Sequence, residues 1–243
     1  LQSPTDAAMQ HQRSKERRVP HPIRHFFSAL LCVAATLAAG AAPAQSSEEL
    51  SASARLLIAA RQDDAAAIDR ALADGAAINS RSVIGESALI LALKHKQPAI
   101  AQHLIAAGAD VNQAAANGVT PLMTAAYGGM ADSVVLLLDK GAAVNAVDRI
   151  DKTAMIYAAA QGHATIVRVL LAHGVDPNTR YANDLTALMW AAGYGQDEVI
   201  AVLLAAGANP AFTDNRGKTA SDIAREGKFS TTVAALEARP SPP

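Results

Sequence analysis

The chain repeats itself every 33 residues, and that period restricts it to folds built by stacking one small unit on the next. Gly75, Gly108, Gly141, Gly174 and Gly207 keep the step, as do Ser87, Thr120, Thr153, Thr186 and Thr219. Ala59, Ala92, Ala125, Ala158, Ala191 and Ala224 carry it through six copies without an insertion. A unit this short cannot bury its own apolar face, so its stability must be shared with its neighbours. Each copy has the same internal grammar. Thr120 is placed to cap a helix, its hydroxyl accepting from a free backbone N–H, and Pro121 suits the first helical position. Leu122, Ala125 and Ala126 then fall on one face, where small residues let helices approach closely. Gly129, Gly162 and Gly195 end that first helix. A second apolar helix, such as 166–171, runs to another glycine, and Val-Asn or Pro-Asn opens a turn. The content is 51% hydrophobic but only 4% aromatic, which favours closely packed helices over a sheet of β-branched residues.

Thr-Pro-Leu-x-x-Ala-Ala at 120–126, Gly-His-Ala-Thr-Ile-Val-Arg-Val-Leu-Leu at 162–171 and Gly-Ala-Asp-Val-Asn at 108–112 together resemble the ankyrin repeat. The resemblance covers roughly residues 50–240. It implies an all-α solenoid of helix–turn–helix pairs with β-turn fingers, of about six repeats including two caps. The copies fall near 50–81, 82–114, 115–147, 148–180, 181–213 and 214–240, within a repeat domain at 54–240. The match has gaps. Ala88, Ala154, Ala187 and Ala220 replace the proline, and Asp63 and Lys96 stand where a glycine would stop the helix. Ala115 and Tyr181 occupy turn positions where the family often has Asp, which leaves the hydrogen bonding of those two turns open. The first and last copies are the most polar, as terminal caps require.

Residues 1–44 read as an export signal. A basic stretch, Arg-Ser-Lys-Glu-Arg-Arg, precedes an apolar run of about 14 residues and then Ala42-Pro43-Ala44, a small-residue cleavage site. The run is short of the roughly 20 residues that a membrane-spanning helix needs, so no stable anchor is expected after cleavage. Met9 is the natural start in this reading, with 1–8 an upstream extension, and 45–53 a polar lead-in. Cys32, the only cysteine, lies in the leader, so disulfides and thiol chemistry are absent from the mature chain. The destination is the periplasm, or secretion, of a Gram-negative bacterium. The leader carries five Lys/Arg against two Asp/Glu, so the remainder holds −4 of the overall −1.

No catalytic or cofactor motif accompanies the repeats. Gly-x-Ser-x-Gly, the P-loop, Gly-x-Gly-x-x-Gly, His-Glu-x-x-His and Cys-x-x-Cys are all missing, so neither an enzyme, a cofactor nor a metal is expected. Paired acids such as Asp197-Glu198 sit at helix starts, where they favour the macrodipole. His163 is expected to bond within its turn region, His103 to pack on an apolar face, and His173 to sit at a helix end. His95 alone stands in a position that could bind.

The resemblance further implies recognition by the concave side, made of finger tips and the exposed ends of first helices. Read copy by copy, this surface carries Arg81, Ile84, Lys94 and His95, then Tyr127, then Arg149, Ile150 and Lys152. Arg180, Leu185 and Tyr194 follow, and Arg216 and Lys218 close it. Its seven Lys/Arg face a single acid, Glu86, and two tyrosines and three apolar tips are interleaved. A basic stripe on an acidic chain suits an acidic segment of a protein partner, with arginine and aromatic anchors. Trp190 and Tyr157 are expected to be packing residues. Nucleic acid is disfavoured by the net acidity and the lack of a contiguous basic run. The chain is read as a monomeric docking scaffold; the alternative is an envelope factor holding a small anion or metal at His95.

Overall fold

The structure is a computed structural model describing residues 50–238. The leader, Cys32 and most of the polar lead-in lie outside the described residues. Twelve α-helices are present among those described, in six pairs. They are α1 (Ala52–Gln62) with α2 (Ala65–Ala73), α3 (Ala88–Lys94) with α4 (Pro98–Ala106), and α5 (Pro121–Gly128) with α6 (Ala131–Asp139). Then come α7 (Ala154–Gln161) with α8 (Ala164–Ala172), α9 (Ala187–Gly193) with α10 (Asp197–Ala205), and α11 (Ala220–Glu226) with α12 (Ser230–Glu237). There is no strand among them, only a lone antiparallel bridge between Arg81 and Ser87.

The hydroxyl residue at each 33-residue step starts a first helix. Ser87, Thr120, Thr153, Thr186 and Thr219 accept from the N–H three residues on, at 3.3, 3.2, 3.4, 3.3 and 3.2 Å. Each cap satisfies one donor that the helix leaves free, a gain of about 1 kcal/mol. Asp63 and Lys96 adopt the left-handed backbone themselves, at φ 61° and 57°, in place of the missing glycines.

First helices stack on the first helices of adjoining repeats, and from the second repeat onward second helices stack on second helices. The step is visible in the core: Leu104, Leu137, Leu170 and Leu203, one per repeat, are 0% exposed. Each such burial stabilises by roughly 1.5–3 kcal/mol. Polar side chains then tie the repeats together. Asn79 accepts from Asp110 N, Asn112 from Ala143 N and Asn178 from Asn209 N, all at 2.8 Å. Gln97, His163 and Gln196 share one register position and reach back to the carbonyls of Arg61, Tyr127 and Ala160. His163 therefore bonds to the preceding repeat rather than within its own turn. His103 is no apolar packing residue: its Nε2 lies 2.7 Å from the Asp69 carboxylate. His173 bonds the Val169 carbonyl at its helix end.

Candidate functional site

Five turns project between the helix pairs, at 82–86, 115–119, 148–152, 181–185 and 214–218; they open the second to sixth repeats, and each finger takes the number of its repeat. In each, the N–H of the first residue donates to the carbonyl of the fifth, at 2.8 to 2.9 Å. The turns at Ala115 and Tyr181 thus close by the same main-chain bond as the others. What varies is the side-chain acceptor. Asp148 Oδ1 takes the N–H of Ile150 and Lys152, and Asp214 Oδ1 takes those of Arg216 and Lys218. Ser82 accepts from Glu86 N at 3.1 Å, and Asn117 accepts from Val119 N in place of an acceptor at Ala115. Tyr181 turns its ring inward against the hydroxyls of Thr153 and Thr179. Its finger bends through two successive left-handed residues, Asn183 (φ 60°) and Asp184 (φ 59°).

Neighbouring fingers are joined by single backbone bonds. Ala116 N donates to Ile84 O, Arg149 N to Asn117 O and Asn215 N to Asn183 O. Among the described residues, no such bond links Ala182 to Ile150, so the row of rungs is interrupted between the fourth and fifth fingers.

Most of the predicted cations have an acid beside them. Lys94 pairs with Glu86 at 2.8 Å, Lys218 with Glu226, and Arg216 grips Asp214 through two nitrogens at 2.7 and 2.9 Å. Arg180 lies 3.6 Å from Asp184 and covers the Phe212 ring at 4.6 Å. The one-sided positive charge read from the sequence is therefore largely cancelled, because Asp184, Asp214 and Glu226 were not counted with the stripe. Arg81 is exposed and donates to Ala114 O at 2.7 Å, spanning to the next finger. Arg149 is exposed at its fingertip. Bonds from Arg216 and Lys218 hold the Asp214 carboxyl below its usual range, outweighing the opposing effect of burial.

Ile84 and Ile150 are solvent-facing tips, 44% and 47% exposed. Leu185 is not a tip; it is half-buried against the core. His95 is exposed and lines a shallow, open depression with Ile58, Arg61 and Gln62. Among the described residues, no group of three His, Cys, Asp or Glu is placed to hold a metal ion.

Lys152 needs the largest correction, because it is only 7% exposed. It leaves the end of the fourth finger and crosses toward the fifth repeat, with Nζ 4.6 Å from the Trp190 ring and 5.8 Å from that of Tyr157. Burial holds its pKa below the ordinary lysine range, with Asp148 acting in the opposite sense. Tyr157 donates its hydroxyl to Asp148 Oδ2 at 2.5 Å; burial and that bond push the phenol pKa up. Tyr194 stacks on Trp190 with centroids 6.4 Å apart, and Tyr127 meets Tyr157 edge-on at 5.9 Å. Burial, then the neighbouring Tyr127, raises the pKa of Tyr194. Trp190 and Tyr157, read as packing residues, thus wall the ammonium, and Asp148 braces it. The readable signal was the register 124, 157, 190, where Thr gives way to two large aromatic rings.

A family model described as ankyrin repeats (three copies) matches the chain at residues 56–148, 96–181 and 132–214. None of the curated proteins compared with the chain matches it.

Proposed function

The chain belongs to the ankyrin-repeat family, whose repeats generally mediate protein–protein interaction, and from that premise we propose that it is a non-catalytic docking module. Its contact face is the row of finger tips with the adjoining ends of the first helices, and its partner is an acidic segment of another protein in the cell envelope. One observation carries the reading. Of six exposed large apolar side chains among the described residues, four (Val83, Ile84, Val147 and Ile150) stand on or beside just two fingers. Leaving them in water is costly, and apolar tips along one row of fingers suit an interaction surface. Arg81 and Arg149 on the same row supply the long-range attraction that steers an acidic partner. The export signal at 1–44 supports an envelope location.

Two variants of the full chain separate this face from the rest of the surface. Capture from an envelope extract should be lost when Ile84→Asp and Ile150→Asp are combined. It should persist in Val135→Asp, an exposed position on the second helix α6. Capture that survives the double variant, or is lost equally in Val135→Asp, overturns the reading. Expressed in a Gram-negative host, the processed chain should begin at Gln45 when its N-terminus is sequenced.

A further inference from the structure

In two repeats the fifth residue of the finger pairs with the first-helix residue eight positions on. In the second repeat it is Glu86 with Lys94, bonded at 2.8 Å. In the last repeat the signs are exchanged, Lys218 with Glu226, and the pair is again in contact. The third and fifth repeats are uncharged there, with Val119 and Tyr127, and Leu185 and Gly193. Only the fourth departs from this pattern, because the position eight after Lys152 is Ala160. A cation is present without its acid.

The nearest carboxylate does not repair this. Asp148 already spends Oδ1 on the N–H groups of Ile150 and Lys152, and Oδ2 on the Tyr157 hydroxyl. Lys152 Nζ makes no hydrogen bond and no ion pair among the described residues. Its contacts with Trp190 and Tyr157 offset part of the desolvation, since a cation over an aromatic face is attracted to the ring more strongly when water is excluded. A buried ammonium with no direct hydrogen bond or ion pair, whose Asp148 neighbour acts only at longer range, is nonetheless disfavoured. The ammonium is also reachable. The buried polar atoms left without a partner include Trp190 Nε1 but not Lys152 Nζ, which retains an opening to solvent. Its finger borders the one junction, among the described residues, where the finger rungs are interrupted, that between Ile150 and Ala182.

We propose that Lys152 is a carboxylate anchor, taking an Asp or Glu side chain of an extended partner segment that passes between the fourth and fifth fingers. The incoming carboxylate supplies the acid that Glu86 and Glu226 supply in the equivalent pairs. Trp190 and Tyr157 exclude water from the contact and so strengthen it. This inference rests on the docking reading above and deepens it, by naming the chemical group that is recognised and the residue that recognises it.

Trp190 is the only tryptophan in the chain, so its fluorescence reports on this spot directly. The probes are a blocked peptide, acetyl-Leu-Glu-Leu-Glu-Leu-amide, its Gln counterpart, a phosphoserine counterpart, and the Gln peptide with a free C-terminus, each titrated into the full-length protein. The Glu peptide should shift the emission, and the Gln peptide should bind about tenfold more weakly or less, the scale of one lost charge-assisted bond. Lys152→Met should abolish the preference for Glu while leaving circular dichroism unchanged. If that variant does not fold, Lys152→Gln decides in its place. Equal binding of Glu and Gln peptides, no binding of the Glu peptide, or an unaltered preference in the variant overturns the anchor. Tighter binding of the phosphoserine or free-carboxyl peptide overturns the choice of side-chain carboxylate. If both blocked peptides bind equally and Ile150→Asp abolishes both, the docking face stands and the anchor falls. If Glu-selective binding depends on Lys152 but survives Ile84→Asp with Ile150→Asp, the anchor stands and the docking face falls.

Discussion

The junction between the third and fourth repeats and the junction between the fourth and fifth are built on the same helices, yet their fingers differ. At the first, Arg149 N reaches Asn117 O at 3.0 Å and the third finger turns at Gly118. At the second the rung is absent, the left-handed positions fall to Asp151, Asn183 and Asp184, and Lys152 crosses to the Trp190 ring of the next repeat. The contrast separates two tasks. Stacking is done by buried, mostly aliphatic residues in fixed register, such as Leu104, Leu137, Leu170 and Leu203. Finger chemistry is free to vary, because the main-chain closing bond needs no particular side chain.

If that separation is correct, the largest effect should be blind to the junction. Leu137→Ala and Leu170→Ala each remove a fully buried side chain from equivalent places, and both should cost about 2–5 kcal/mol in urea unfolding. A clear difference between the two would show that the stack itself differs. Next comes Gly118→Ala. Its backbone sits at φ +84°, and an added Cβ would lie 3.0 Å from both Arg149 N and Asp148 Cα. A cost of about 1–3 kcal/mol is expected, with faster amide exchange at Arg149. Asp184→Gly in the fifth finger should instead leave stability unchanged or raise it by up to about 1 kcal/mol, since there the strained residue is the native one.

Smaller still is the loss of a cap. Thr120→Ala should cost about 1 kcal/mol, and Thr153→Ala somewhat more, because Thr153 also meets the Tyr181 phenol. Equal losses would mean that Tyr181 gains nothing from that contact. The smallest effect concerns Lys152. Its folded pKa is depressed, so the fold pays for the charge at every pH below that value. The penalty relaxes as pH rises from the folded pKa toward the ordinary lysine value. Lys152→Met should therefore be as stable as the parent or slightly more so at pH 7, and the parent should close the gap in alkaline buffer. A residue whose removal stabilises is retained for something other than the fold.

The architecture was legible because the 33-residue step writes the same information several times over. Caps, glycine stops and the aliphatic column all repeat, so a departure in one copy does not obscure the rest. The surface was less legible for a physical reason. Counting Lys and Arg along the fingers treats charge as additive, whereas Lys94 and Lys218 are cancelled by residues eight positions away and Arg216 by one two positions away. Lys152 was visible as a cation but not as a buried one. Its burial depends on Trp190 in the following repeat, a contact between neighbours that the identity of the residue alone does not reveal.

Units that hold only the units beside them behave, on a larger scale, like an elastic rod, and the missing rung beside Ala182 is a notch in it. Bending and twisting should gather at that notch, so the spacing between the fourth and fifth fingers becomes the softest dimension of the described stack. A guest that spans it would act as a splint, and the stiffness it confers would be felt at both ends of the rod.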